Sequence, residues 1–237
     1  INFTNYGGFE IFNNLEKSLF ENTTDQLPKL NKLLFPFTGQ DTFEISDNSQ
    51  HSFRNAIKIN LEGQINPFLA WKRLNSLVAA KGNVHFISER ALDIIPSGSK
   101  VNVKTNGQSI TSQKAIIATN GFTKRLLPKT NIVPARAQVL ITSPIDNLKL
   151  KGSFHKDRGF VYFRNVGNRV LIGGLRNLDV KTEETDKIDL NQTIQEKLEL
   201  LLRDEILPNK PFSIEHRWAG IMGFGENQEK DYLLEEP

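Results

Sequence analysis

The residues best placed to do chemistry lie between Lys114 and Pro128, in the stretch K-A-I-I-A-T-N-G-F-T-K-R-L-L-P. The apolar run from Ala115 to Ala118 stops at Thr119-Asn120-Gly121, which predicts a buried strand delivering a tight turn. Asn120 and Gly121 both tolerate a positive φ, and Gly121 has no Cβ, so such a turn could set bare backbone against a flat aromatic ring or a pyrophosphate. The spacing alone fits an unliganded strand-to-helix turn equally well. Other chemistry has less support. His51, His85, His155 and His216 are far apart, and none stands at helical spacing from another ligand type, which argues against a metal site. There is no G-x-S-x-G elbow, P-loop or catalytic carboxylate pair, so hydrolase and kinase readings have no residues to rest on. No G-x-G-x-x-G precedes the turn, so a dinucleotide site would have only its second half in this chain.

The elements that must position this turn can be read from periodicity. Gly7 to Leu34 carries apolar residues at helical spacing and predicts two amphipathic helices split near Asn22 to Asp25. Phe43, Ile45, Phe53, Ile57 and Ile59 suggest short strands. Asn66-Pro67 is an N-cap followed by a proline at the first helical position; it starts a helix with Ala70, Trp71, Leu74, Leu77 and Val78 as its buried stripe, ending at Gly82. Strands are expected at Val84 to Ser88, at Ala91 to Ile95, around Val101 and Val103 before a hairpin turn at Asn106-Gly107, and at Lys114. In many dinucleotide-binding proteins that order covers the half of the fold that follows the phosphate loop. A second architecture comes next, with antiparallel strands at Ile132 to Thr142, Gly152 to His155, Phe160 to Asn165 and Arg169 to Leu175. A helix over Asp189 to Glu205 and a last strand over Ser213 to Phe224 complete it.

The 237 residues suffice for one large or two small domains with a substantial core. Hydrophobic residues make up 38% and charged residues 24%, and no run approaches the roughly 20 apolar residues of a transmembrane helix. The net charge of +3 arises from interspersed charges, 30 basic and 27 acidic, with no concentrated patch for nucleic acid. The absence of cysteine excludes disulfides, thiolate-bound zinc and a thioether link to a cofactor within this stretch, and a reducing, cytoplasmic compartment fits best. The chain opens at Ile1 without a secretory signal and reads as an excerpt, ending in an acidic tail.

Five stretches run in order from Gly63 to Phe224: G-Q-I-N-P with its helix and G-N-V-H-F, A-T-N-G-F-T, V-P-A-R-A-Q-V-L-I-T, V-L-I-G-G-L-R-N and R-W-A-G-I-M-G-F. Together they resemble the FAD-dependent oxidoreductases of the D-amino-acid oxidase and glycine oxidase superfamily, and in detail the branch that includes gamma-glutamylputrescine oxidase. The resemblance implies an α/β (α+β) fold in which a partial FAD-binding, Rossmann-like domain at 61–127 joins a substrate domain. That domain has a mainly antiparallel sheet flanked by helices, at 128–224 with help from 1–60; a tail follows at 225–237. It implies FAD held without a covalent bond, with Ala91, Ala118, Thr119, Asn120 and Gly121 along the cofactor. Phe160, Leu175 and Met222 would line the substrate side. Met222 stands where the amino-acid oxidases carry an arginine that clamps the substrate carboxylate, and Arg176 and Arg217 are the available replacements. The family's N-terminal phosphate loop and C-terminal glycine-rich segment have no counterpart here. The activity implied for the full-length protein is oxidation of the C–N bond of a small amine or amino acid by hydride transfer to the flavin, the fragment alone being inactive. A non-catalytic binding or interaction module of the same fold is the alternative.

Overall fold

The computed structural model describes residues 3–47 and 53–225, so that His51 and the acidic tail lie outside the described residues. Strand β1 (Gly8–Ile11) opens the chain, and helix α1 (Lys17–Thr38), strands β2 (Phe43–Ile45) and β3 (Ala56–Ile59) and helix α2 (Pro67–Ala79) follow. A three-stranded antiparallel sheet is built from β4 (Ala91–Ser97), β5 (Lys100–Thr105) and β6 (Ser109–Ser112). After a 3₁₀ turn at Asn120–Arg125 come β7 (Ile132–Thr142), β8 (Ser153–Lys156), β9 (Val161–Val166) and β10 (Arg169–Gly174). Helices α3 (Val180–Glu183) and α4 (Gln192–Leu201) and strand β11 (Ile214–Gly225) end the described chain. The large sheet has the order β11-β7-β10-β9-β8-β1-β3-β2. From β7 to β2 its neighbours pair antiparallel, except for β1 with β8. This is the mixed α/β class expected, with a large, mostly antiparallel sheet flanked by helices.

The chain divides into two compact units. The first takes residues up to Ser76, Gln138–Asp179 and Leu190–Trp218; the second takes Leu77–Ala137, Val180–Asp189 and the chain from Ala219 on.

The core of the first unit follows from alternation along its strands. Val161 and Phe163 on β9, and Val170 and Ile172 on β10, turn the same face inward. Phe9, Phe154 and Phe163 stand opposite one another across three strands, with ring centroids 4.7 and 4.9 Å apart. Helix α4 covers them with Ile194 and Leu198, both fully buried. Each such side chain contributes about 1.5–3 kcal/mol. Helix α4 starts where Asn191 accepts the N–H of Ile194, and Asn191 also donates to Asp179.

The structure corrects the sequence expectations at four places. Phe9 belongs to a strand, because Phe9 and Ile11 point inward with Glu10 between them; a period of two over four residues is easily mistaken for part of a longer helical pattern. Residues 17–38 form one helix, which contains both Pro28 and Pro36 and ends at Gly39, where φ is 68°. The polar stretch Asn22–Asp25 carries no breaker, and the hydroxyls of Thr23 and Thr24 bond back to the carbonyls of Leu19 and Glu21 at 2.7 and 2.8 Å. Buried Asn31 ties the helix to the next strand by accepting the N–H groups of Thr42 and Phe43 and donating to the Phe43 carbonyl. The apolar stripe of α2 is not buried: Trp71 is 58% and Leu74 60% exposed. Neither Val84–Ser88 nor Lys114–Ala118 forms a strand, and Ile116 is 94% exposed. A strand exists only where a neighbour pairs with it, and no described residue does so for either segment.

Candidate active site

In the second unit the turn at Asn120 is built from short-range polar contacts. Asn120 has a φ of 50°, the left-handed conformation that asparagine tolerates better than most residues. Its carbonyl accepts the Thr123 hydroxyl at 2.6 Å, and the Thr119 and Thr123 hydroxyls lie 3.1 Å apart. The Asn120 side chain then reaches β11, where its Oδ1 accepts the Gly223 N–H at 2.7 Å. Gly121 is buried against the same strand. A Cβ there would stand 2.6 Å from the Met222 carbonyl oxygen and 2.7 Å from Ile221 Cγ2. The missing side chain at this glycine thus admits β11, and Asn120 supplies the positive φ. Ala118 and Asn120 are exposed beside it, Thr119 is half-buried, and Ala91 opens β4 at an irregularity in its pairing with β5.

Gly121→Val is therefore expected to lower stability by about 1–3 kcal/mol, since an added side chain must displace strand backbone. Gly220 is the control, because a methyl group added there would meet nothing within 4 Å. Gly220→Ala should stay within about 0.5 kcal/mol of the parent protein. Urea unfolding of the two variants measures the difference.

In the first unit the end of β10 carries the unusual backbone. Gly174 has a φ of 117° and Leu175 a φ of 58°, the latter in a region that a leucine adopts only when its surroundings impose it. The Leu175 N–H donates to the Phe160 carbonyl at 2.7 Å, so these two expected substrate-lining residues are brought together. Phe160 is 45% exposed, and Leu175 packs against the core from its edge. Tyr162, opposite Gly173, carries no signal in the sequence that marks it out. A Cβ at Gly173 would meet the Tyr162 hydroxyl at 2.5 Å, so the phenol lies across a position kept bare for it. Burial pushes the Tyr162 pKa up, which keeps its hydroxyl protonated and able to donate a hydrogen bond.

The two arginines differ in setting. Arg176 begins the 3₁₀ turn after Leu175. Arg217 is committed to α4: its Nη1 donates to Gln195 Oε1 at 3.1 Å and its Nη2 pairs with Glu199. Gln195 in turn donates to Gln138 Oε1 at 3.1 Å and to the Val139 carbonyl. Met222 belongs to the second unit and is 39% exposed on β11.

The second unit also holds an ion pair, Arg136 with Glu183, both buried. The guanidinium meets the carboxylate at 2.7 Å through Nη2 and at 3.1 and 3.2 Å through Nε, and also donates to the carbonyls of Lys187 and Thr182. The signal in the sequence is two polar residues, Arg136 and Gln138, two apart in a strand whose other residues are apolar up to its final Thr142.

No protein-family model matches the chain, and no curated protein is similar to it by sequence. Solved structures do share its fold. Glycine oxidase from Bacillus cereus superposes with a TM-score of 0.72 at 20% identity, over 95% of this chain and 62% of that one. Glycine oxidase from Geobacillus kaustophilus gives 0.71 at 18% identity, over 100% and 64%. L-Proline dehydrogenase from P. horikoshii gives 0.69 at 18% identity, over 97% and 63%. The chain thus spans less than two thirds of the length of these structures.

Proposed function

We propose that this chain is part of an FAD-dependent oxidoreductase that oxidises the C–N bond of a small amine or amino acid, in the branch that includes gamma-glutamylputrescine oxidase. The observation that carries the reading is the fold shared with glycine oxidase and L-proline dehydrogenase, taken with the family-ordered stretches from Gly63 to Phe224. The cofactor, when bound, supplies the hydride acceptor. Ala91, Ala118, Thr119 and Asn120 would hold it. Lys114–Ala118 fits such a role in one respect, since it is mainly exposed and belongs to no strand, so backbone is accessible beside the turn. Gly121 acts in this reading by anchoring the turn to β11.

Phe160 and Leu175 would orient the substrate, and the protonated Tyr162 hydroxyl would donate to it. Arg217 already answers Glu199, which competes with any substrate carboxylate for its guanidinium. A thioether at Met222 cannot make the bidentate contact of a guanidinium. We therefore favour an amine without an α-carboxylate. The domain limits proposed with this reading are an FAD-binding part at 61–127 and a substrate domain at 128–224 joined by 1–60.

The test has two stages. The full-length protein should purify with flavin absorption bands, whereas residues 1–237 alone should bind FAD no more tightly than about micromolar, lacking helix N–H groups for the pyrophosphate. Anaerobic reduction with paired substrates, each amine beside its α-carboxylated analogue, should then be faster with the amine. A full-length protein without flavin sinks the oxidoreductase reading; faster reduction by the carboxylated partners sinks only the substrate preference.

A further inference from the structure

Three concavities in the first unit are lined by ionisable side chains, and they differ in charge balance. The groove between α1 and β2, about 690 Å³, sets Lys32 against Asp41 and Glu44. A hollow of about 350 Å³ beside α4 sets Lys156 and Lys197 among Asp157, Asp204 and Glu205. The third, about 380 Å³, is lined by Lys151 and Arg164 and by no carboxylate. In a chain with nearly as many acidic as basic residues, this hollow alone of the three is left with a positive lining.

Its polar groups are otherwise neutral and largely committed to one another. Gln64 and Asn165, each 7% exposed, are joined by Gln64 Nε2 donating to Asn165 Oδ1 at 3.0 Å. Asn165 Oδ1 also accepts the Gly152 N–H at 3.0 Å, and its Nδ2 donates to the Gly167 carbonyl at 3.3 Å. Arg164 Nη1 donates to the Ile65 carbonyl at 3.1 Å, which steadies the guanidinium without neutralising it. Lys151 Nζ lies 5.8 Å from the centroid of the Tyr6 ring, a contact that orients the ammonium and likewise leaves its charge unmatched. Among the described residues neither cation forms an ion pair.

We propose that this hollow binds a small oxyanion, carboxylate or phosphate, held jointly by Lys151 and Arg164. The guanidinium offers a planar fork to two oxygens, and the ammonium adds a mobile point charge. The volume is at the small end for ligand pockets, which favours a compact acid or phosphate ester over a nucleotide. The hollow contains none of the residues given roles in the proposed oxidation, so binding here needs no flavin.

Isothermal titration calorimetry on the full chain tests the site, with inorganic phosphate and succinate as separate arms and chloride at matched ionic strength as the blank. Saturable one-to-one binding is expected in at least one arm, and the arm that responds identifies the class of anion. Lys151→Gln and Arg164→Gln should each weaken binding by about tenfold or more, the scale of one charge-assisted hydrogen bond. Lys151 is exposed, so Lys151→Gln leaves the fold intact and decides the matter if loss of the Ile65 contact unsettles Arg164→Gln. Heat signals matched by chloride, no saturation in either arm, or wild-type affinity in Lys151→Gln would each overturn the proposal.

Discussion

Glu183→Ala should cost about 3–5 kcal/mol, a large fraction of the roughly 5–15 kcal/mol that holds a typical domain together. Glu183 is fully buried and receives three charge-assisted contacts from Arg136, which is itself 5% exposed. Removing the carboxylate strands a guanidinium where water cannot solvate it, and that penalty exceeds what the intact pair adds over an apolar replacement. The double variant Arg136→Met with Glu183→Leu should therefore recover most of the loss. Some deficit should remain, because the Thr182 and Lys187 carbonyls lose their donor. Denaturant midpoints of the three proteins check this. A single variant no less stable than the wild type would mean that water reaches the pair in solution.

Gly174→Ala should be more damaging than its one added methyl suggests. A Cβ at this position overlaps the Phe160 carbonyl oxygen, the same atom that accepts the Leu175 N–H, and the φ of 117° is one that only glycine adopts freely. Clash and backbone strain add, to about 3 kcal/mol or more. Gly167→Ala is the matched control, since Gly167 also has a positive φ, 61°, but nothing within 4 Å of its Cβ position. It should cost about 1–2 kcal/mol, the left-handed penalty alone. Equal losses at the two glycines would mean that β10 relaxes around the methyl, and that the Leu175 backbone is not held in place by Phe160.

Much of the second half of the chain was legible because its strands are bounded by turn residues and its alternation is clean. Phe154, Val161, Phe163, Val170 and Ile172 face inward as alternation requires. The capping residue Asn66 was equally plain, and its Oδ1 accepts the Leu69 N–H at 3.0 Å. Periodicity identified the apolar face of α2 but carried no information about what covers it, and in this chain that face stays exposed. The same reason accounts for Val84–Ser88 and Lys114–Ala118: composition marks them as strand formers, yet pairing is a property of the neighbour. At the site, a glycine in a turn suggested room for a ligand, whereas what lies against Gly121 in the structure is the Met222 carbonyl of β11, a neighbour that local sequence does not name. Tyr162 was illegible because nothing local distinguishes it from any other aromatic residue in a strand. Its meaning comes from Gly173 opposite.

Val84–Ser88 and Lys114–Ala118 also bear on how the chain would behave in a crowded cell. Each presents apolar side chains beside backbone groups that no described strand occupies, with Phe86 60% and Ile116 94% exposed. Such segments are templates for another chain's edge, the first step of β-aggregation. Residues 1–237 synthesised alone would thus rely on chaperone capture or dilution to stay dispersed, and Ile116→Lys would place a gatekeeper against self-association.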